Sequence, residues 1–270
     1  MRSAVTISLV PEARGGPFVY WETLAESCRR AKSLGFDGVE IFSPGPETLR
    51  DPALAEVVFG SGLFIAALGT GAGWLKHKLR LTDAQAEIRL RAIEFLREML
   101  EAASRLAAPL IIGSMQGRWE GAVSKAEALD WLGEGMSELD TLAGRLGGRL
   151  LLEPLNRYES NLLNRTSEGM EFIRRHECRN TMVLADLYHM NIEEADVGEA
   201  LRDLGESLGH VHFADSNRLA MGLGHTDAGR VARVLKSMEY DGYVSAEVLP
   251  LPSSDEAAAQ TIRTFRACFG

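Results

Sequence analysis

Cysteine is scarce in this chain. Cys28, Cys178 and Cys268 are the only three, widely spaced and without a CxxC pair, which fits free thiols in a reducing cytosol and not a disulfide framework. Positive charge is in deficit, with 29 basic against 38 acidic residues and a formal charge of -9. Such a surface repels phosphate backbones, so a nucleic-acid partner is not expected. No stretch approaches the roughly 18 apolar residues of a membrane span. The opening "MRSAVTISLVPEARGG" has a short apolar run stopped by Pro11 and Glu12, without the h-region and small-residue cleavage site of a signal peptide. A cytoplasmic protein with no membrane partner is the expectation. Low-complexity tracts and Pro/Gly/Ser-rich linkers are also missing.

What is present is an alternation that runs from one end to the other. Short runs rich in Val, Ile and Leu at 4–10, 38–42, 63–69, 109–114, 149–153, 182–186, 210–215 and 243–248 read as eight strands. Between them lie helical patterns. Ile88, Ile93, Leu96, Leu100 and Ala103 recur at steps of three to five within 84–107, behind a capping box of Thr82 and Gln85. Residues 23–35 end on a glycine suited to a C-cap, and Ser253 with Glu256 forms a second box before the last helix. Eight strand-then-helix units predict an α/β protein with a single (β/α)8 TIM barrel as one domain over residues 1–270. The competing doubly wound sheet would place GxGxxG after an early strand, and none follows residues 4–10.

"LLEPLNRYESNLLNR", Leu151 to Arg165, poses the chemical question. An apolar run ends on a carboxylate, Glu153, with a proline directly behind it. Three further strands do something similar: the sixth ends on Asp186, the seventh carries His212 and the eighth carries Glu247. In a barrel these strand ends share one mouth, where catalytic residues gather. Singly, each residue has a plain explanation, such as a salt bridge, a core histidine or a cap on a turn. Together, three facing carboxylates repel strongly, and a divalent cation resolves the conflict. Three carboxylates with one imidazole suit Mn2+, Mg2+ or Co2+ better than structural zinc.

These residues lie within segments that resemble a known family. "EPLNRYE", "NLLNRT", "ADLYHMNIEE", "GHVHFADSNR", "GLGH" and "YDGYVSAE" look like the signature segments of ketose 3-epimerases of the tagatose and psicose type, within the xylose isomerase-like barrels. The likeness is dense over residues 149–250 and looser before it, where "LGFDGVEI", "ALGTGAGWLKHKLRLT" and "IIGSMQG", together with the later "EVLPLP", look most like the keto-sugar-acid epimerases, the 5-keto-gluconate branch. The resemblance implies Glu153, Asp186, His212 and Glu247 as ligands of a divalent metal, Mn2+ foremost with Co2+ or Mg2+ as alternatives. It further implies Glu153 and Glu247 as the two acid/base groups, Glu159, His189 and Arg218 as contacts to substrate oxygens, a small keto-sugar substrate, and a dimer or tetramer. C3 epimerisation of a ketose removes a proton from one face and returns it to the other, which two opposed carboxylates can do. The intervening enediolate requires electrostatic stabilisation, which a cation at O2 and O3 would supply.

Other features leave alternatives open. His225 in "GLGH" either orients a ligand by a hydrogen bond or serves an ordinary loop role. Glu40, at the end of the second strand, either reaches the pocket or pairs with a neighbouring lysine, the latter being the expectation. Trp74, Trp119 and Phe213 are candidates for an apolar wall against the sugar, with core or rim packing the commoner fate of such aromatics. Lys76, His77, Lys78 and Arg80 read as a solvated cationic face; turned toward the mouth they would favour a carboxylate or phosphate on the substrate. Rival functions are an aldose/ketose or hydroxypyruvate-type isomerase, an endonuclease IV-like DNA repair enzyme, and a sugar-binding protein without turnover. Six histidines and a charge of -9 argue against the multi-zinc nuclease. A proton-transfer pair argues against binding alone.

Overall fold

The eight apolar runs pair side by side, all parallel, into a closed barrel in which the last strand meets the first. This computed structural model describes the whole chain, residues 1–270. The strands are β1 (Arg2–Ser8), β2 (Gly38–Phe42), β3 (Phe64–Gly69), β4 (Leu110–Ile112), β5 (Leu150–Leu152), β6 (Thr181–Asp186), β7 (Leu208–His212) and β8 (Tyr243–Ala246). Each expected strand is found, several shorter at their ends: Glu153 and Glu247 lie one residue past β5 and β8. The helices are α1 (Leu24–Leu34), α2 (Pro46–Arg50), α3 (Pro52–Gly60), α4 (Ala72–His77), α5 (Ala86–Arg105), α6 (Lys125–Leu146), α7 (Thr166–Arg175), α8 (Leu187–Glu193), α9 (Val197–Leu204), α10 (Ala228–Ser237) and α11 (Ser254–Phe269).

Alternation along each strand divides the apolar residues between two cores. Val5, Ile7, Val39, Ile41, Leu68, Leu110 and Ile112 face outward and join the helices in one large buried cluster. To it α6 contributes Leu132, Met136, Leu139 and Ala143, at helical spacing and fully buried. Truncating one such leucine to alanine costs about 2–5 kcal/mol. Inside the barrel, Ala67, Ile111, Leu151 and Leu184 of β3 to β6 form a separate cluster.

Helix ends follow the sequence signals with one exception. Thr23 caps α1 through the Glu26 amide, and Gly35 closes it in the left-handed region at φ 85°, a conformation costly for any residue with a Cβ. Ser253 caps α11 and donates to Glu256. The box at Thr82 and Gln85 does not form. The Thr82 hydroxyl instead donates to the Gln116 carbonyl at 3.0 Å, and α5 starts at Ala86 with Asp83 Oδ1 accepting from the Gln85 amide at 2.9 Å. A tertiary acceptor on the next strand's turn outcompetes the local one.

Candidate active site

The four strand ends singled out above meet at the mouth. His212 Nδ1 lies 3.2 Å from Asp186 Oδ2, 3.4 Å from Glu153 Oε1 and 3.7 Å from Glu247 Oε2. One potential ligand atom from each of the four falls within 4.8 Å of the others. Glu153, Asp186 and His212 are buried and Glu247 nearly so.

Each is held by its backbone. The Glu153 amide continues the sheet by donating to the Ile112 carbonyl at 3.1 Å, and Gln116 Nε2 donates to the Glu153 carbonyl at 2.6 Å. Pro154, having no N–H to pair, then turns the chain away from the ladder. Asp186 does two things at once. Its Oδ1 caps α8 by accepting from the Tyr188 and His189 amides at 2.7 and 3.3 Å, while Oδ2 faces the cluster.

The cluster draws positive charge. Burial alone would lower the basicity of His212, yet Glu40, Glu247, Asp186 and Glu153 raise it well above the ordinary imidazole value. Asp186 is likewise held well below the carboxylate range, against burial, by His189, His212 and Arg218. Burial pushes Glu247 up to about 8, with His212 and Arg218 opposing and Glu153 and Asp186 adding to the rise. Three carboxylates converge on so few cationic groups that the donor set fits a hard divalent ion.

Beside the cluster opens a cavity of about 320 Å³ lined by Glu153, Glu159, His189, Arg218 and Glu247 and walled by Phe18, Phe42, Trp74 and Leu75. Arg218 spans its rim, donating from Nη1 to Glu159 Oε1 at 2.8 Å and from Nη2 to Glu247 Oε2 at 3.0 Å. It is one of five non-glycine residues at positive φ, at 60°. That backbone is pinned by the Asp215 carbonyl and the Leu249 amide, both at 2.8 Å.

His189 reaches the cavity through a residue that the motif contained but whose role was not read from it. The backbone and side-chain N–H groups of Asn156 both point at His189 Nδ1, at 3.3 and 2.7 Å. Nδ1 is therefore the acceptor and Nε2 carries the hydrogen. Buried and without a partner, Nε2 sits 3.9 Å from Glu153 Oε1 and 3.8 Å from Asp186 Oδ2. Asp215 was also unassigned. Its carboxylate accepts from the amides of Ser216, Gly222, Gly224 and Thr226 at 2.7 to 3.0 Å, organising the loop that carries Arg218.

Of the remaining expectations, some hold and some are corrected. Glu40 pairs with no lysine and instead reaches the cavity lining, buried in the barrel 2.9 Å from His210 Nε2 and 3.2 Å from His212 Nε2. The cations after β3 remain a peripheral face. Arg80 is bonded to Asp83 and Glu120, Lys76 lies 3.8 Å from Glu12, and Lys78 donates to the Leu75 carbonyl. Of the three proposed wall aromatics only Trp74 lines the cavity. Phe213 is buried beside Phe269, and Trp119 hydrogen-bonds to Asn161 away from it. His225 is exposed on the Asp215 loop, its amide donating to Ser216 Oγ at 3.0 Å, which fits an ordinary loop role.

The family model for the xylose isomerase-like TIM barrel matches residues 28–268. The chain is a xylose isomerase-like TIM barrel. Relatives of this barrel are named sugar epimerases. It is similar to the D-psicose 3-epimerase of Agrobacterium fabrum, 28% identical over 267 residues covering 94% of this chain and 90% of that one. The 3-dehydro-D-guloside 4-epimerase of Escherichia coli is 29% identical over 236 residues, 84% of this chain and 87% of that one. The D-psicose 3-epimerase of Ruminiclostridium cellulolyticum is 30% identical over 244 residues, 85% and 81% of the two chains. The solved 3-keto-D-glucoside 4-epimerase of E. coli shares the fold at a TM-score of 0.83 and 24% identity, over 99% of this barrel and 100% of that chain. No helix is long and apolar enough to cross a membrane, and all three cysteines are free.

Proposed function

We propose that this barrel is a divalent-metal-dependent epimerase of a neutral keto-sugar, moving the hydrogen on the carbon next to the carbonyl from one face to the other. The observation that carries the reading is the convergence of Glu153, Asp186, His212 and Glu247 within 4.8 Å at the wall of a sugar-sized cavity. Those four residues would hold the cation, with Mn2+ as the ion of choice and Co2+ or Mg2+ as alternatives. When bound, such an ion stabilises negative charge developing on the substrate oxygens.

The chain's own residues do the rest. Glu153 and Glu247, reaching in from β5 and β8, act as the acid/base pair. One accepts the C3 proton while the other supplies a proton to the opposite face. His189 Nε2–H, fixed by Asn156, is aimed to donate to a sugar oxygen, and Arg218 with Glu159 orients hydroxyls at the rim. Phe18, Phe42 and Trp74 exclude water from the reacting carbon.

Charge supports the proposal of a neutral substrate. Arg218 is the one arginine or lysine lining the cavity, and it is committed to Glu159 and Glu247. A carboxylate or phosphate on the sugar would face carboxylates without a free cation to pair with. This supports the reading of a ketose such as tagatose, fructose/psicose or ribulose ahead of 5-keto-gluconate.

The test is incubation with fructose, tagatose, ribulose and 5-keto-gluconate in D2O with Mn2+. The expected outcome is deuterium at the epimerised carbon of a neutral ketose, with the carbonyl unmoved. An aldose product would make it an isomerase instead, and turnover of 5-keto-gluconate alone would overturn the neutral-substrate reading.

A further inference from the structure

The barrel interior beneath the mouth is filled unequally. On β3 to β6 the inward side chains are apolar, Ala67, Ile111, Leu151 and Leu184, the ordinary filling of such a barrel. On β2 and β7 the interior carries Glu40 and His210, exposed by only 4% and 1%. A buried carboxylate costs several kcal/mol unless its oxygens are satisfied. Nothing in the acid/base chemistry above uses these two side chains.

Their geometry supplies the reason. Spacing of two along β7 puts His210 and His212 on the same inward face, with ring centroids 5.5 Å apart and planes at 86°. Glu40 crosses the lumen from β2 to bridge them, Oε2 to His210 Nε2 at 2.9 Å and Oε1 to His212 Nε2 at 3.2 Å. We propose that Glu40 is a positioning residue for His212, itself held by His210, and that the chain His210, Glu40, His212 fixes which imidazole nitrogen is offered to the cation. The proposal rests on reading the four-residue cluster as a cation site.

A carboxylate can only accept hydrogen bonds, so both facing Nε2 atoms carry hydrogen. Without a cation, His212 Nδ1 would also carry hydrogen toward Asp186; with one bound, Nε2–H held by Glu40 leaves the Nδ1 lone pair as the one offered, and Nδ1 is the atom that faces Asp186, Glu153 and Glu247. The opposite tautomer would place a hydrogen in the middle of the ligand set. A leucine at position 40 would fill the space yet leave two buried N–H groups unpaired, each costing about 1–3 kcal/mol. Carboxylate partners of metal-bound imidazoles act in this way generally.

The test compares the parent with Glu40→Gln, His210→Phe, His210→Gln and Leu151→Ala. Mn2+ dissociation constants come from calorimetry, visible spectra from the Co2+-loaded proteins, and the His212 tautomer from 15N NMR of the proteins loaded with diamagnetic Mg2+. Glu40→Gln is expected to weaken Mn2+ binding about 10- to 100-fold, to shift the Co2+ spectrum and to mix the His212 tautomers. His210→Phe should do the same more weakly, while His210→Gln, which keeps an N–H donor for Glu40, should restore binding to within about threefold of the parent. Leu151→Ala should lower the melting temperature without changing cation affinity. Parent-like affinity and an unchanged tautomer in a folded Glu40→Gln protein would overturn the proposal. So would an equal loss of affinity in Leu151→Ala, because the effect would then be general softening. A parent protein that binds no Mn2+ removes the cation reading and this one together. A parent that binds Mn2+ alongside an unaffected Glu40→Gln variant removes only this one.

Discussion

Arg218 and Glu247 are joined across the cavity rim, Nη2 to Oε2 at 3.0 Å, so a backbone-strained arginine holds one of the two proposed acid/base carboxylates. A glutamine at 247 keeps an oxygen for that guanidinium but cannot exchange a proton. Glu247→Gln should therefore lower kcat by on the order of 10² to 10⁴ and abolish deuterium uptake, while the melting temperature measured under chelation stays near that of the chelated parent. Steady-state kinetics and calorimetry check it, and undiminished turnover would remove Glu247 from the chemistry.

The cation should also be visible as stability. A ligand at 100 times its dissociation constant adds about 2.7 kcal/mol to a native state that alone binds it, worth roughly 5 to 10 °C in a protein near this size. Exhaustive chelation should lower the melting temperature by that amount and silence the enzyme, and added Mn2+ should restore both. Differential scanning calorimetry with and without chelator is the measurement, and an unmoved transition counts against a cation bound at this site.

Gly113 lies against Glu153, and a Cβ built on it would overlap Glu153 Oε2. Gly113→Ala should push that carboxylate off its position. Displacements of about 1 Å cost on the order of 10² in rate, so kcat should fall far more than stability does. A variant with parental kcat would show that Glu153 has room to adjust.

Asp215 gives the pH dependence its sign. Burial works against its ionisation, but the amides of Thr226, Ser216, Gly224 and Gly222 hold its carboxyl below the ordinary value. A folded-state value below the unfolded one means the anchor contributes fully above about pH 4 and is lost as pH falls through the folded value. Asp215→Asn turns an NH2 toward amide donors and should cost about 1–3 kcal/mol at neutral pH. Denaturation at several pH values should show that gap constant from about pH 5 to 7 and shrinking below about 4. Because the loop carries Arg218, KM should rise as well.

Much of this was legible from the chain alone. Strand ends at Glu153, Asp186, His212 and Glu247 stood out because acids and imidazole are costly at the close of apolar runs, and their common period placed them at one mouth. Asn156 was not legible, since an asparagine inside "EPLNRYE" reads equally well as turn chemistry. Only the approach of α8 shows both of its N–H groups meeting His189. The Thr82 box failed for the same reason, as a local pattern cannot show a carbonyl 34 positions away.

By itself the sequence determined the alternation of strand and helix, the absence of membrane-length apolar runs, and which residue types close each strand, because hydrophobic period and burial cost act along the chain. The tertiary structure decided who faces whom. It turned the Lys76 to Arg80 cations aside and set Arg218 between two carboxylates. It also took Glu40 from an expected lysine to His210 and His212 across the barrel, since closing eight strands turns the inner faces of β2 and β7 to one lumen and brings Glu40 to His210, 170 positions away.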